Sequence, residues 1–309
     1  MSVWSYQGTS FGQTESVPCP SCGDERHRRE VIRRPDGLPI VECPACGLYF
    51  VDPQPTQDAL KKFYATGYFK GSHDFFQGQD YFTQRDLGIK LGSTTGWADV
   101  KALNVLGKNV LDLGCASGAL LVLARENGAR MVKGVELDEQ IAQRGRTEYG
   151  LEISVGDVAS VLSVEMARFD IVSAFDLIEH VKKPKQLFEA VSGVLSDDGL
   201  FVCSVPNGTC LDMWRGDWTG VRENMEHLQY LREPDLHRLA ASTGLKVDRL
   251  SSRGFPLRLK PYSSSERGGR LSRLLREPGV ALSNMAAKMR IGLLGRGIGH
   301  ELVVVLSKA

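Results

Sequence analysis

From residue 109 onward, short apolar runs alternate with stretches whose apolar residues recur every three or four positions. The runs predict strands at 109–113, 131–136, 152–155, 169–175 and 199–205. The amphipathic stretches predict helices at 117–127, 138–149, 184–195 and 233–243. Such regular alternation implies an α/β fold, a parallel sheet with helices on both faces. Leu245–Leu250 and Glu301–Leu306 read as two final strands. Between them, residues 256–298 are basic and helix-like at Leu271–Arg276 and Ala281–Arg290, too long for a hairpin loop. This insert reads as a lid, an arm that would make a homodimer, or a surface for an anionic partner. Upstream, Asp52-Pro-Gln-Pro-Thr56 is a rigid exit, and Thr56 is placed to cap a helix Gln57–Tyr64. Aromatic residues crowd the stretch 63–97, either as a layer packed on the main domain or as a wall of a pocket. The chain thus divides into a loose tail (1–16), a cysteine-bearing unit (17–52), a helical linker or cap (53–105) and a large α/β domain (106–309).

Composition narrows the function classes. The 309 residues are 42% hydrophobic and 24% charged, with a net charge of +1. That is ordinary for a soluble chain and creates no strong field for nucleic acid or an anionic membrane. No apolar run reaches spanning length, and the first residues lack a secretory pattern, so a cytoplasmic protein is expected. In that compartment cysteines act as ligands or buried thiols rather than disulfides.

Four of the seven cysteines form Cys19-Pro-Ser-Cys22-Gly and Cys43-Pro-Ala-Cys46-Gly, twenty residues apart. Two such turns present four thiolates to one tetrahedral zinc with no open position, which is a structural zinc ribbon. A unit of this size buries too little core to fold alone, so zinc would supply its folding energy. The basic run Asp24–Arg34 between the knuckles reads as a solvated hairpin, since no aromatic residues interleave with it. Cys115, Cys203 and Cys210 are assigned no chemistry.

The segment Val110-Leu-Asp112-Leu-Gly114-Cys115-Ala116-Ser117-Gly118 is a strand running into a glycine turn that opens a helix. Glu136 ends the next strand, where a carboxylate suits a ribose diol. Ala116 stands where a dinucleotide-binding loop needs its middle glycine. The loop instead resembles the first motif of class I S-adenosylmethionine (SAM)-dependent methyltransferases. Gly156-Asp157-Val158, Phe169–Val181 and Leu195–Asn207 follow in that family's order. The resemblance implies a Rossmann-like seven-stranded sheet whose last two strands form an antiparallel hairpin at its edge. It also implies a set of cofactor contacts. Asp112 and the loop Gly114, Cys115, Ala116 and Gly118 would hold the methionine part, and Glu136 the ribose. Asp157 would accept from the adenine amino group, with Leu137 and Val158 on the ring faces. Phe175 and Asp176 would lie beneath the sulfonium.

Histidine titrates in the range a general base needs. Of six, His180 follows the fourth strand and His227 the fifth, the latter in Glu226-His227-Leu-Gln-Tyr230. His180, His227 and Glu226 are the catalytic candidates, and Tyr230 shares the His227 face if that segment is helical. His27, His73, His237 and His300 read as surface or packing residues. The ribbon-plus-sheet layout also resembles C-methyltransferases acting on nucleotide-linked deoxysugars. The expected activity is methyl transfer to oxygen or carbon of a polar small molecule in a biosynthetic route. The alternatives are an RNA base methyltransferase with a zinc module, disfavoured by the near-neutral charge, and a non-catalytic SAM-binding scaffold.

Overall fold

The computed structural model describes residues 12–63, 81–222, 224–254 and 299–309, the side chains of 81–84 excepted. The insert 256–298 and most of the aromatic stretch 63–97 lie outside the described residues. The N-terminal part contains β1 (Thr14–Glu15), β2 (Arg29–Arg33), β3 (Pro39–Glu42), β4 (Tyr49–Val51), β5 (Gln54–Pro55), α1 (Gln57–Phe63), α2 (Tyr81–Lys90) and α3 (Trp97–Lys101). The large domain runs β6 (Asn109–Leu113), α4 (Ala119–Glu126), β7 (Met131–Glu136), α5 (Glu139–Tyr149), β8 (Glu152–Val155), α6 (Val158–Leu162), β9 (Phe169–Phe175), α7 (Pro184–Val194) and β10 (Leu195–Pro206). It continues through α8 (Thr209–Trp214), α9 (Thr219–Arg222), β11 (Gln229–Tyr230), α10 (Glu233–Ala241), β12 (Leu245–Arg253) and β13 (Glu301–Lys308).

Seven strands form one sheet in the order β12-β13-β10-β9-β6-β7-β8. The strands from β8 to β10 are parallel, and β13 is antiparallel to both β10 and β12. The expected edge hairpin is therefore present, with its second strand inserted between its partner and β10. Helix ends follow local chemistry. The Asp138 carboxylate accepts from the Gln140 and Ile141 N–H groups at 2.8 and 3.0 Å and starts α5. The Thr56 hydroxyl accepts from the Ala59 N–H at 3.3 Å and caps α1 as the sequence predicts.

A second sheet has the order β11-β4-β3-β2. Its first strand, Gln229–Tyr230, comes from the large domain and pairs antiparallel with β4. The segment expected as a possible helix is thus an edge strand of the ribbon sheet, because β4 offers it a ladder. Residues 48–51 are buried on both sides. Leu48 and Phe50 join the core of the large sheet with Leu231 and Leu236, while Tyr49 and Val51 face Cys210, Leu211, Trp218 and Tyr230. The period-two alternation of a strand puts one pair on each face. The ribbon is consequently wedged into the large domain. The tail expected over 1–16 also ends in structure, since Thr14 and Glu15 pair with Pro55 and Gln54.

Candidate functional site

The motif residues gather at the carboxyl ends of the parallel strands, where open α/β sheets bind ligands. The loop after β6 is shaped by two close approaches. Gly118 has φ +84°, and a Cβ there would lie 2.2 Å from Leu151 Cδ1. A Cβ on Gly134 would lie 2.5 Å from the Cys115 sulfur. Ala116 adopts φ 49°, in the left-handed region that costs a non-glycine residue about 1–2 kcal/mol. It is held there by its N–H, which donates to Glu136 Oε2 at 2.9 Å. Glu136 Oε1 accepts from the Leu137 and Asp138 N–H groups at 2.7 and 3.0 Å. Four lone pairs and three such bonds leave the carboxylate capacity for a ligand hydroxyl.

Asp112 is buried and accepts from the Ser173 hydroxyl at 2.7 Å, and burial pushes its carboxyl up to about 7. The Ser117 hydroxyl is buried in the loop without a hydrogen-bond partner. Leu137 stands exposed at the end of β7, a large apolar surface open to a flat ring. Asp157 caps α6 by accepting from the Ser160 N–H at 3.1 Å, and its side chain is otherwise exposed. Phe175 ends β9 half-buried, and the exposed Asp176 follows it with φ 51°. An orphaned hydroxyl, backbone N–H groups at a glycine turn, a carboxylate with spare acceptor capacity and an exposed leucine fit the polar and apolar parts of SAM.

Beyond β10 the two histidine segments meet. The His180 and His227 rings pack edge to face with centroids 4.9 Å apart. Tyr230 lies 6.4 Å from His227 by centroid. It reaches the site as a strand residue rather than across one helical turn, because 229–230 belongs to the ribbon sheet. Burial holds the His180 imidazole down at about 4 and pushes His227 well below the ordinary histidine value, so both rings are neutral near pH 7. Glu226, also buried, is pushed up to about 7 by its burial, and its Oε2 lacks a hydrogen-bond partner. A carboxyl titrating near neutrality is better suited to accept a proton at pH 7 than either imidazole.

Three residues here had no role in the sequence reading. Glu179 is 1% exposed and faces both imidazoles, with Oε1 3.9 Å from each Nε2. Arg34 is buried, pairs with Asp36 and donates to the His227 carbonyl at 2.7 Å. The hairpin reading of Asp24–Arg34 thus describes Arg29 and Arg33, which are exposed, but not Arg34. Asn224 Nδ2 lies 3.1 Å from His227 Nε2. Glu179 and Arg34 reach His227 only across the fold, so no local pattern marks that role, whereas Asn224 stands three residues before His227.

The cysteines converge as their spacing requires. The Gly23 and Gly47 N–H groups donate to the Cys19 and Cys43 carbonyls at 2.8 and 2.9 Å, closing the two knuckle turns. Sulfur–sulfur distances are 3.6 Å for Cys19–Cys46 and for Cys22–Cys43. Four Zn–S bonds of about 2.3 Å in a tetrahedron separate sulfurs by about 3.8 Å, so the cluster fits zinc. Cys115, Cys203 and Cys210 are buried apolar-like thiols.

Residues 96–250 match the model of a methyltransferase domain family. The chain belongs to this methyltransferase family. A ubiquinone biosynthesis O-methyltransferase of Neisseria meningitidis serogroup C is 29% identical over 136 residues, covering 41% of this chain and 55% of that protein. Its namesake from Chromobacterium violaceum is 29% identical over 175 residues, covering 53% of this chain and 75% of that protein. The chain spans about half the length of the first curated relatives it matches. Among solved structures, a SAM-dependent methyltransferase from Archaeoglobus fulgidus superposes with a TM-score of 0.51 at 16% identity, over 78% of this chain and all of that one. The methyltransferase fold is common to both. The family match begins at residue 96, so the cysteine cluster lies outside it. Among the described residues, no helix is long and apolar enough to cross a membrane.

Proposed function

We propose that the protein transfers a methyl group from SAM to an oxygen or carbon of a polar small molecule made in a biosynthetic route, with Glu226 as proton acceptor and His180 and His227 flanking the acceptor atom. The observation that carries this reading is the buried Glu226–His227 and His180 cluster just past the carboxyl end of β9, with His180 three residues beyond Leu177, whose side chain packs against Gly114 of the glycine loop. SAM, when bound, supplies an electrophilic methyl on a sulfonium. Asp112 and the loop Gly114–Gly118 would hold the amino-acid end, with Glu136 accepting from the ribose. Asp157 would take the adenine amino group and Leu137 and Val158 the ring. Phe175 and Asp176 would sit beneath the sulfur. The nucleophilic atom forms a bond to the methyl carbon as the carbon–sulfur bond breaks, and Glu226 takes the proton that the nucleophile carries. Positioning supplies most of the acceleration, since the methyl donor is already activated. The relatives' names favour oxygen as the acceptor.

Cys19, Cys22, Cys43 and Cys46 would hold one structural zinc. Glu136→Ala should weaken SAM binding by about 1.5–3 kcal/mol, the loss of a charged acceptor. Calorimetry on variant protein with a native melting transition tests this, and unchanged affinity would remove the ribose role.

A further inference from the structure

Glu179, His180 and His227 each place one ligand atom within 4.8 Å of the other two. We infer that these three residues bind a divalent transition-metal cation as a two-histidine, one-carboxylate centre, with the remaining positions open to water or to an oxygen of the substrate. The separation between Glu179 Oε1 and each imidazole Nε2 is 3.9 Å. Hydrogen bonds run from about 2.7 to 3.2 Å, so neither contact is a shared proton. Two bonds of about 2.0–2.2 Å to a common ion span up to about 4.2 Å, so an ion bridges the two Glu179 gaps once the Asn224 amide, 3.1 Å from His227 Nε2, turns away and the imidazoles close on it.

A second observation points the same way. The Glu179 side chain is almost completely buried, yet its Oε2 has no hydrogen-bond partner. An orphaned buried carboxylate oxygen costs about 1–3 kcal/mol or more, and a cation removes that cost. The donor set is a borderline one. Imidazole nitrogen with carboxylate oxygen suits Fe2+, Co2+, Zn2+ and Mn2+ better than Ca2+ and Mg2+, which prefer oxygen donors.

The backbones that carry the ligands are clamped, as metal centres require of their supporting shell. The Leu228 N–H donates to the Glu179 carbonyl at 2.8 Å, and Gln229 Nε2 donates to the Ile178 and Val181 carbonyls at 2.6 and 2.7 Å. Arg34 holds the His227 carbonyl from the ribbon side. The cation would draw charge from a substrate oxygen and so lower the pKa of the acceptor group. Glu226, which is not a ligand, remains as the proton acceptor. The binding claim itself does not depend on the methyl-transfer reading.

The test uses full-length protein with its cysteine cluster zinc-loaded, dialysed against Co2+ alone. The expected result is one cobalt per chain beside the zinc, with visible bands that lack thiolate charge transfer, and electron–nuclear resonance showing coupling to imidazole nitrogen. Glu179→Gln and His227→Gln should each weaken cobalt binding by at least the 10–100-fold that loss of an outer-shell partner costs, whereas exposed Glu152→Gln should not. Wild-type protein that takes up no second metal would overturn the inference. So would cobalt that shows no imidazole coupling, or cobalt held equally by folded Glu179→Gln. The wild-type measurements decide the matter even if a variant fails to fold.

Discussion

Stripping the zinc proposed for the cysteine cluster is expected to unfold the ribbon and abolish the proposed methyl transfer together. Structural zinc sites of four thiolates contribute about 10–16 kcal/mol, as much as the whole stability of an ordinary domain. Here the loss spreads further than the ribbon. Tyr49 and Val51 pack against Trp218 and Tyr230, and β11 pairs with β4, so the strand next to His227 is anchored on the ribbon. Arg34, at the ribbon's edge, holds the His227 carbonyl. Cys115 of the glycine loop and the helix α4 that follows it belong to a separate core, with Trp97, Leu121 and Ile153. Limited proteolysis of chelator-treated protein should therefore cut within 17–52 and near 224–231 while the region around β6 to β8 stays resistant. Metal-free protein that kept both segments protected would contradict a structural zinc.

The second large effect concerns proton removal. Glu226→Gln keeps the side chain's shape and deletes its ability to accept a proton, and a general base contributes about 10²–10⁴-fold to rate. Turnover should fall by that factor while SAM affinity stays within a few-fold. The pH profile separates this from a structural role. With the Glu226 carboxyl pushed up to about 7 by burial, kcat/KM should rise as pH climbs through about 7, where the group loses its proton. In Glu226→Gln this limb should vanish. A variant with the same limb and reduced turnover would assign the proton to another group.

The sheet was legible because its signal is local. The buried strands at 109–113 and 169–175 are short apolar runs, and the helices between them carry a clear apolar face. Cysteine spacing likewise fixed which thiols meet. The geometry of loop 112–118 and the carboxylate ending β7 was legible because strand, glycine turn and helix are contiguous in sequence. What stayed hidden depends on pairing between distant segments. Gln229–Tyr230 has no strand pattern of its own and becomes one only because β4 is there to bond it. Arg34 reads as one more charge in a basic run until the fold buries it beside His227. Glu179 carries no signature either, because its meaning lies in two imidazoles, one its neighbour in sequence and one 48 residues away.

The most direct measurement is transfer of label from methyl-labelled SAM, with purified zinc-loaded protein incubated in parallel with a small-metabolite extract and with total RNA. Label is expected in the small-molecule fraction, on oxygen or carbon by mass spectrometry, and is expected to disappear in Glu226→Gln. Label confined to RNA, or a protein that fails to bind SAM at all, would contradict the proposed activity.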